Sequence, residues 1–151
     1  MKRMISTVAV LAILSLATAP VMAGEGTRDE AVAMVHKVQD RIKADGADKT
    51  FDAINAKEFN DRDLYPFVIR FDGNMAADGI NKALVGKNLS GVKDPDGKSP
   101  GDEMLSMAKS GHGGWVDYSW PNPATKKIEA KSVYVERAGD ADFLIAVSVY
   151  R

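Results

Sequence analysis

The segment Gly113–Val135, GGWVDYSWPNPATKKIEAKSVYV, restricts the fold more than any other part of the chain. Two stretches of alternating apolar and polar residues flank Pro121-Asn122-Pro123, the pattern of two antiparallel strands joined at a turn. Both tryptophans of the protein and two of its four tyrosines fall here, beside Lys131. Strict alternation puts Trp115, Asp117 and Ser119 on one face and Val116, Tyr118 and Trp120 on the other. It groups Lys131 with Val133 and Val135, opposite Tyr134. Amphipathic aromatics with a cation can line a small-ligand cavity. These side chains cannot all face one cavity unless a bulge intervenes.

The remaining patterns fit around that pair. Thr27-Arg28-Asp29-Glu30 reads as a capping box opening a helix with Ala31, Met34, Val35, Val38 and Ile42 on one stripe, closed by Gly46. Asp48 is expected to cap a shorter helix carrying Phe51 and Ile54. Leu64–Asp72 alternates again, with Tyr65, Phe67, Ile69 and Phe71 on one face; Pro66, lacking an amide donor, belongs near the strand's start or at an edge. Asp72-Gly73 signals a hairpin with a short return strand near Met75–Ala77. Asp78–Pro100 is loop-like, anchored by Ala83-Leu84-Val85 and Leu89. Ser99 as N-cap and Pro100 open a helix with Met104, Leu105 and Ala108 facing in, ended by Gly111. Strands Trp115–Trp120, Ile128–Arg137 and Phe143–Tyr150 follow. The sum is an α+β domain with a five-stranded antiparallel sheet.

Lys2 and Arg3, an apolar run from Met4 to Ala23, and Val21-Met22-Ala23 before Gly24 read as a secretory signal peptide, residues 1–23, ahead of one domain over 24–151. An uncleaved anchor is the competing reading, weakened by Thr7, Ser15, Thr18 and Pro20. The protein is then expected in a periplasm, held together by its core alone, since it has no cysteine. Removing Lys2 and Arg3 lowers the formal charge from −1 by two, to −3. Basic and acidic residues are interspersed without a Lys/Arg stripe, which argues against nucleic acid.

Chemistry-bearing motifs are sparse. The two histidines, His36 on a helix surface and His112 in a glycine-rich loop, lack zinc spacing. Asp94-Pro95-Asp96-Gly97 lacks the distal glutamate of a calcium loop and reads as a turn. No Gly-x-Ser-x-Gly and no Gly-Lys-Ser/Thr ending occurs. The expectation is a protein that is not an enzyme and takes no cofactor or metal. What remains is the aromatic-plus-cation set, in which Lys131 would supply a carboxylate's counter-charge and tyrosine hydroxyls directional hydrogen bonds. The competing reading makes the same residues sheet core and sheet surface, with Lys131 solvated.

Tyr65-Pro-Phe-Val-Ile-Arg-Phe-Asp-Gly73, Ala83-Leu-Val-Gly-Lys-Asn-Leu89, Lys93-Asp-Pro-Asp-Gly97, Gly113–Pro123 and Lys131-Ser-Val-Tyr-Val135 together resemble the single Cache domain family, and its type 2 subgroup more closely. The resemblance implies a long N-terminal helix against a PAS-like antiparallel sheet with a small-molecule pocket on one face. It implies a sensor-type ligand of the acetate, propionate, pyruvate or lactate class. Tyr65, Phe67, Trp115, Tyr118, Trp120, Lys131 and Tyr134 are the residues carried over as ligand-binding. Arg70 stands where an acidic residue is expected in relatives. The sequence ends at Tyr150-Arg151, at the close of the last strand, so a free-standing module signalling through another polypeptide is expected.

Two functions are therefore carried forward. One is a periplasmic binding or sensing module for a short organic acid, working with a membrane-bound kinase or chemoreceptor. The other is an interaction module without a small ligand, whose N-terminal helix forms a homodimer or docks on such a partner.

Overall fold

A computed structural model describes residues 25–151; the expected signal peptide lies outside the described residues. Helix α1 (Arg28–Asp45) starts as its capping box requires. The Glu30 amide donates to the Thr27 hydroxyl at 3.2 Å, and the Thr27 amide to the Glu30 carboxylate at 2.8 Å. Ala31, Met34, Val35 and Val38 are buried, while Arg28, Lys37, Asp40 and Lys43 stay in solvent. Gly46, at φ +87°, both ends α1 and begins α2 (Ala47–Asn55). Asp48 is not the cap that the sequence suggested. It lies inside the first turn of α2, where its charge still complements the helix dipole, because the chain reverses at the glycine before it.

Five strands form one antiparallel sheet: β1 (Pro66–Arg70), β2 (Met75–Asp78), β3 (Gly114–Pro121), β4 (Ile128–Arg137) and β5 (Phe143–Tyr150), in the order β2-β1-β5-β4-β3. This order is that of a PAS-like sheet. Pro66 is the first residue of its strand, as its missing donor demands. Gly73, at φ +89°, turns β1 into β2, its amide donating to the Arg70 carbonyl at 2.9 Å. Between β2 and β3 come a short 3-10 turn (Lys82–Leu84) and helix α3 (Pro100–Lys109), whose N-cap Ser99 makes no side-chain cap bond.

Every residue of β5 is buried, because the sheet is covered on both faces. On one face α1 and α2 lay Val35, Val38, Phe51 and Ile54 against Val68, Ile145 and Val147. On the other, Met104, Leu105 and Ala108 of α3 pack with Ile69, Val116, Val133 and Leu144. The apolar stripe of α1 thus faces its own sheet.

Candidate ligand-binding site

Register builds the centre of the site. Lys131 on β4 lies directly across from Tyr118 on β3 and from Tyr150 on β5, so the three side chains stand in a row on one face. Lys131 is 3% exposed. Its Nζ donates to the Tyr65 hydroxyl at 3.0 Å and lies 5.2 to 5.6 Å from the ring centroids of Tyr65, Tyr150, Phe67 and Tyr118. Desolvated cation–π contacts of this kind are each worth up to about 2 kcal/mol. Burial opposes the charge, but the oxygens of Tyr118, Tyr65 and Tyr150 outweigh it and hold the ammonium above the ordinary lysine pKa. Burial raises the Tyr118 and Tyr150 hydroxyls in turn, against the pull of Lys131. At neutral pH Lys131 is thus a cation beside the neutral hydroxyls of Tyr118 and Tyr150. None of the ion pairs among the described residues includes Lys131.

Beside this cluster is a cavity of about 400 Å³. Its base holds Tyr65, Phe67, Tyr118 and Lys131; Trp120 forms a wall, its ring meeting that of Tyr118 edge-on at 5.9 Å. The loop after β2 supplies Ile80, Leu84 and Leu89, the first turn of α3 supplies Pro100, Gly101 and Met104, and the β3–β4 turn supplies Asn122, Pro123 and Lys126. Gly101 is required where it stands, since a Cβ there would come within 2.7 Å of the Leu89 carbonyl oxygen.

The loop is fastened at its far end by Asp94. Its carboxylate accepts the amides of Lys98 at 2.8 Å, Asp96 at 3.0 Å and, across on β3, Ser119 at 3.1 Å. Burial works the other way, but these amides hold the Asp94 carboxyl below the usual aspartate range. The Asp94–Gly97 motif is a structural staple at the cavity's rim. Among the described residues no group of three or more His, Cys, Asp or Glu could hold a metal ion.

Of the seven side chains singled out from sequence, Tyr65, Phe67, Tyr118, Trp120 and Lys131 line the cavity. Trp115 and Tyr134 do not. They pair across β3 and β4 on the opposite face, rings 5.4 Å apart, with the Arg28 guanidinium 4.0 Å above Trp115. The regular β3–β4 register has no bulge that would turn them round. The Tyr134 hydroxyl donates to Glu136 at 3.0 Å.

Two residues of the site escaped the sequence reading. Tyr150 enters through the β4–β5 register, and its hydroxyl donates to the Pro121 carbonyl at 3.1 Å; continuing the alternation of β5 from Leu144 would have placed it on this face. Asp78, at the end of β2, accepts the amides of Ile80 and Asn81 on one oxygen, both at 2.8 Å. Burial raises its carboxyl pKa, against those amides and the charge of Lys131. No local motif marks it.

The Cache domain family matches residues 31–151, and the chain belongs to that family. It is 30% identical over 90 residues to the methyl-accepting chemotaxis protein McpP of Pseudomonas putida, and 32% identical over 89 residues to the sensor histidine kinase MctS of Rhizobium johnstonii. Those alignments cover 60% and 59% of this chain but 16% and 19% of the relatives. The fold is shared with a methyl-accepting chemotaxis protein of Vibrio parahaemolyticus, with TM-score 0.68, 21% identity, and coverage of 81% of this chain and 86% of that one. A Cache chemosensory domain described for carboxylic acid recognition has TM-score 0.64 and 24% identity, with 81% and 86% covered. The chain is a Cache domain, similar over part of its length to short portions of a chemotaxis protein and a sensor kinase.

Proposed function

We propose that this protein is an extracytoplasmic binding module of the sensor type, taking a small organic acid whose carboxylate sits against Lys131 and the Tyr65 hydroxyl. One observation carries the reading: a fully buried ammonium, without a carboxylate in ion-pair contact, stands at the base of a cavity large enough for a ligand. The tyrosine oxygens and ring faces already hold the charge, and an entering carboxylate would add a direct counter-charge in a desolvated site. Hydrogen bonds to charged groups then add about 1.5–3 kcal/mol each.

The remaining expectations follow the same reading. Residues 1–23 act as a secretory leader, and the bound state is passed to a membrane-bound kinase or chemoreceptor. Among the described residues, no helix is long and apolar enough to cross a membrane. The relation to chemotaxis and sensor-kinase proteins, and the carboxylic acid recognised by one fold neighbour, support this direction.

Thermal-shift and calorimetric screening against organic acids from acetate, propionate, pyruvate and lactate up to octanoate tests it. The expected result is a concentration-dependent rise in melting temperature for a subset of acids, equivalent to about 2.7 kcal/mol at a hundredfold excess over Kd. The absence of both a thermal shift and binding heat with every acid at millimolar concentration would reject the reading.

A further inference from the structure

We infer that the acid this cavity takes is a monocarboxylate with an extended apolar body of roughly six to ten non-hydrogen atoms in all, rather than a two- or three-carbon acid. The inference rests on the carboxylate-binding reading of the same site. Its first support is size. A water molecule's share of liquid volume is about 30 Å³, and a non-hydrogen atom of an organic acid takes a similar share. Acetate or propionate would therefore occupy on the order of 120–150 Å³. The cavity measures about 400 Å³, so either would leave more than half of it to water.

The second support is the chemistry of the space left over. The buried polar contact of the lining is that of Lys131 with Tyr65; Asp78 is buried beside it, and Asn81, Asn122 and Lys126 belong to the loop and turn around the cavity. The apolar lining is Ile80, Leu84, Leu89, Met104 and Trp120. Leu84 and Leu89 are only partly buried, and Val92 at the lip, 36% exposed, is one of two large exposed hydrophobics among the described residues. An apolar tail would cover this surface. A second carboxylate would have to desolvate against it, since the remaining cation, Lys126, lies out in the exposed β3–β4 turn.

Dissociation constants measured by calorimetry at pH 7.5 for acetate, butyrate, hexanoate, phenylacetate and the six-carbon dicarboxylate adipate test the inference. Affinity is expected to rise roughly fourfold per added methylene from acetate to hexanoate. Phenylacetate should match hexanoate, and adipate should bind at least tenfold more weakly. A Leu84→Trp variant, which narrows the apolar part of the cavity at a partly buried position, should weaken hexanoate at least tenfold and by a clearly larger factor than acetate. Acetate binding as tightly as hexanoate, or adipate binding better than hexanoate, would overturn the inference while leaving the carboxylate site standing. If no acid binds, the carboxylate reading falls and this inference with it.

Discussion

The same five strands present two unlike faces. Against α1 and α2 the sheet is a dry apolar interior of Val, Ile and Phe, fully buried at Val35, Val38, Ile54, Ile145 and Val147. The other face is core only where α3 covers it, and elsewhere it holds the Lys131 ammonium, the Asp78 carboxyl, three tyrosine hydroxyls and open space. The β3–β4 hairpin puts an aromatic pair on each face: Trp115 with Tyr134 on one, Tyr118 with Trp120 on the other. Aromatic content alone therefore does not mark a site. What separates the pairs is what lies opposite: α1 and Arg28 close over the first, while a loop and a helix end stand off from the second.

The largest effect is expected on the dry face. Val35→Asp would bury a carboxylate without a partner, and such changes cost more than about 4 kcal/mol, enough to unfold an ordinary domain. Circular dichroism in a urea titration should show loss of the cooperative transition. A variant that stays folded but sediments as a smaller species would instead make the α1 stripe an association surface. The two tryptophans sharpen the comparison at intermediate size. Trp120→Ala should weaken acid binding at least tenfold with little change in melting temperature. Trp115→Ala should lower stability by about 1–2 kcal/mol through the lost Tyr134 and Arg28 contacts, and leave acid affinity within twofold. The reverse pattern would reassign the faces.

Asp78 gives the smallest expected effect. Burial raises its pKa in the folded state, so the native protein holds that proton more tightly than the unfolded chain. Stability from this group is therefore highest at acid pH and falls as pH rises from the ordinary aspartate value through the raised one. Asp78→Asn keeps an acceptor for the Ile80 and Asn81 amides and removes a negative charge from the cavity. It should flatten that decline, and strengthen acid binding a few-fold at pH 7.5. Weaker binding would mean that the carboxylate helps to hold the ligand.

Most of the architecture was legible because each element carries a local signal. The Thr27–Glu30 box, the alternation in 64–72 and 114–121, and the glycines at 46 and 73 each act within a few residues. Alternation alone also separated Trp115 from Tyr118, and Tyr134 from Lys131. It could not say which face of β3 joins which face of β4, since that depends on the length of the turn between them. The Tyr118–Lys131–Tyr150 row is a product of register across three strands. Asp78 depends on a loop returning over its own strand end, and Asp48 was misread because an acidic residue serves equally in a helix's first turn or at its cap. Long-range packing decides these cases, and short-range pattern does not contain it.

The central claim is that Lys131 serves the ligand and not the fold. Replacing Lys131 by an apolar side chain of similar length keeps the packing but forfeits the ring contacts, and leaving the Tyr65 hydroxyl without its partner costs about 1–3 kcal/mol. Melting the wild-type and Lys131→Met proteins, each with and without the acid that binds wild type best, tests the claim most directly. The expected result is a ligand-free variant that still unfolds cooperatively, about 1–3 kcal/mol below wild type, with the acid-induced rise abolished. A variant that is grossly destabilised without ligand, yet keeps the full acid-induced rise, would contradict it.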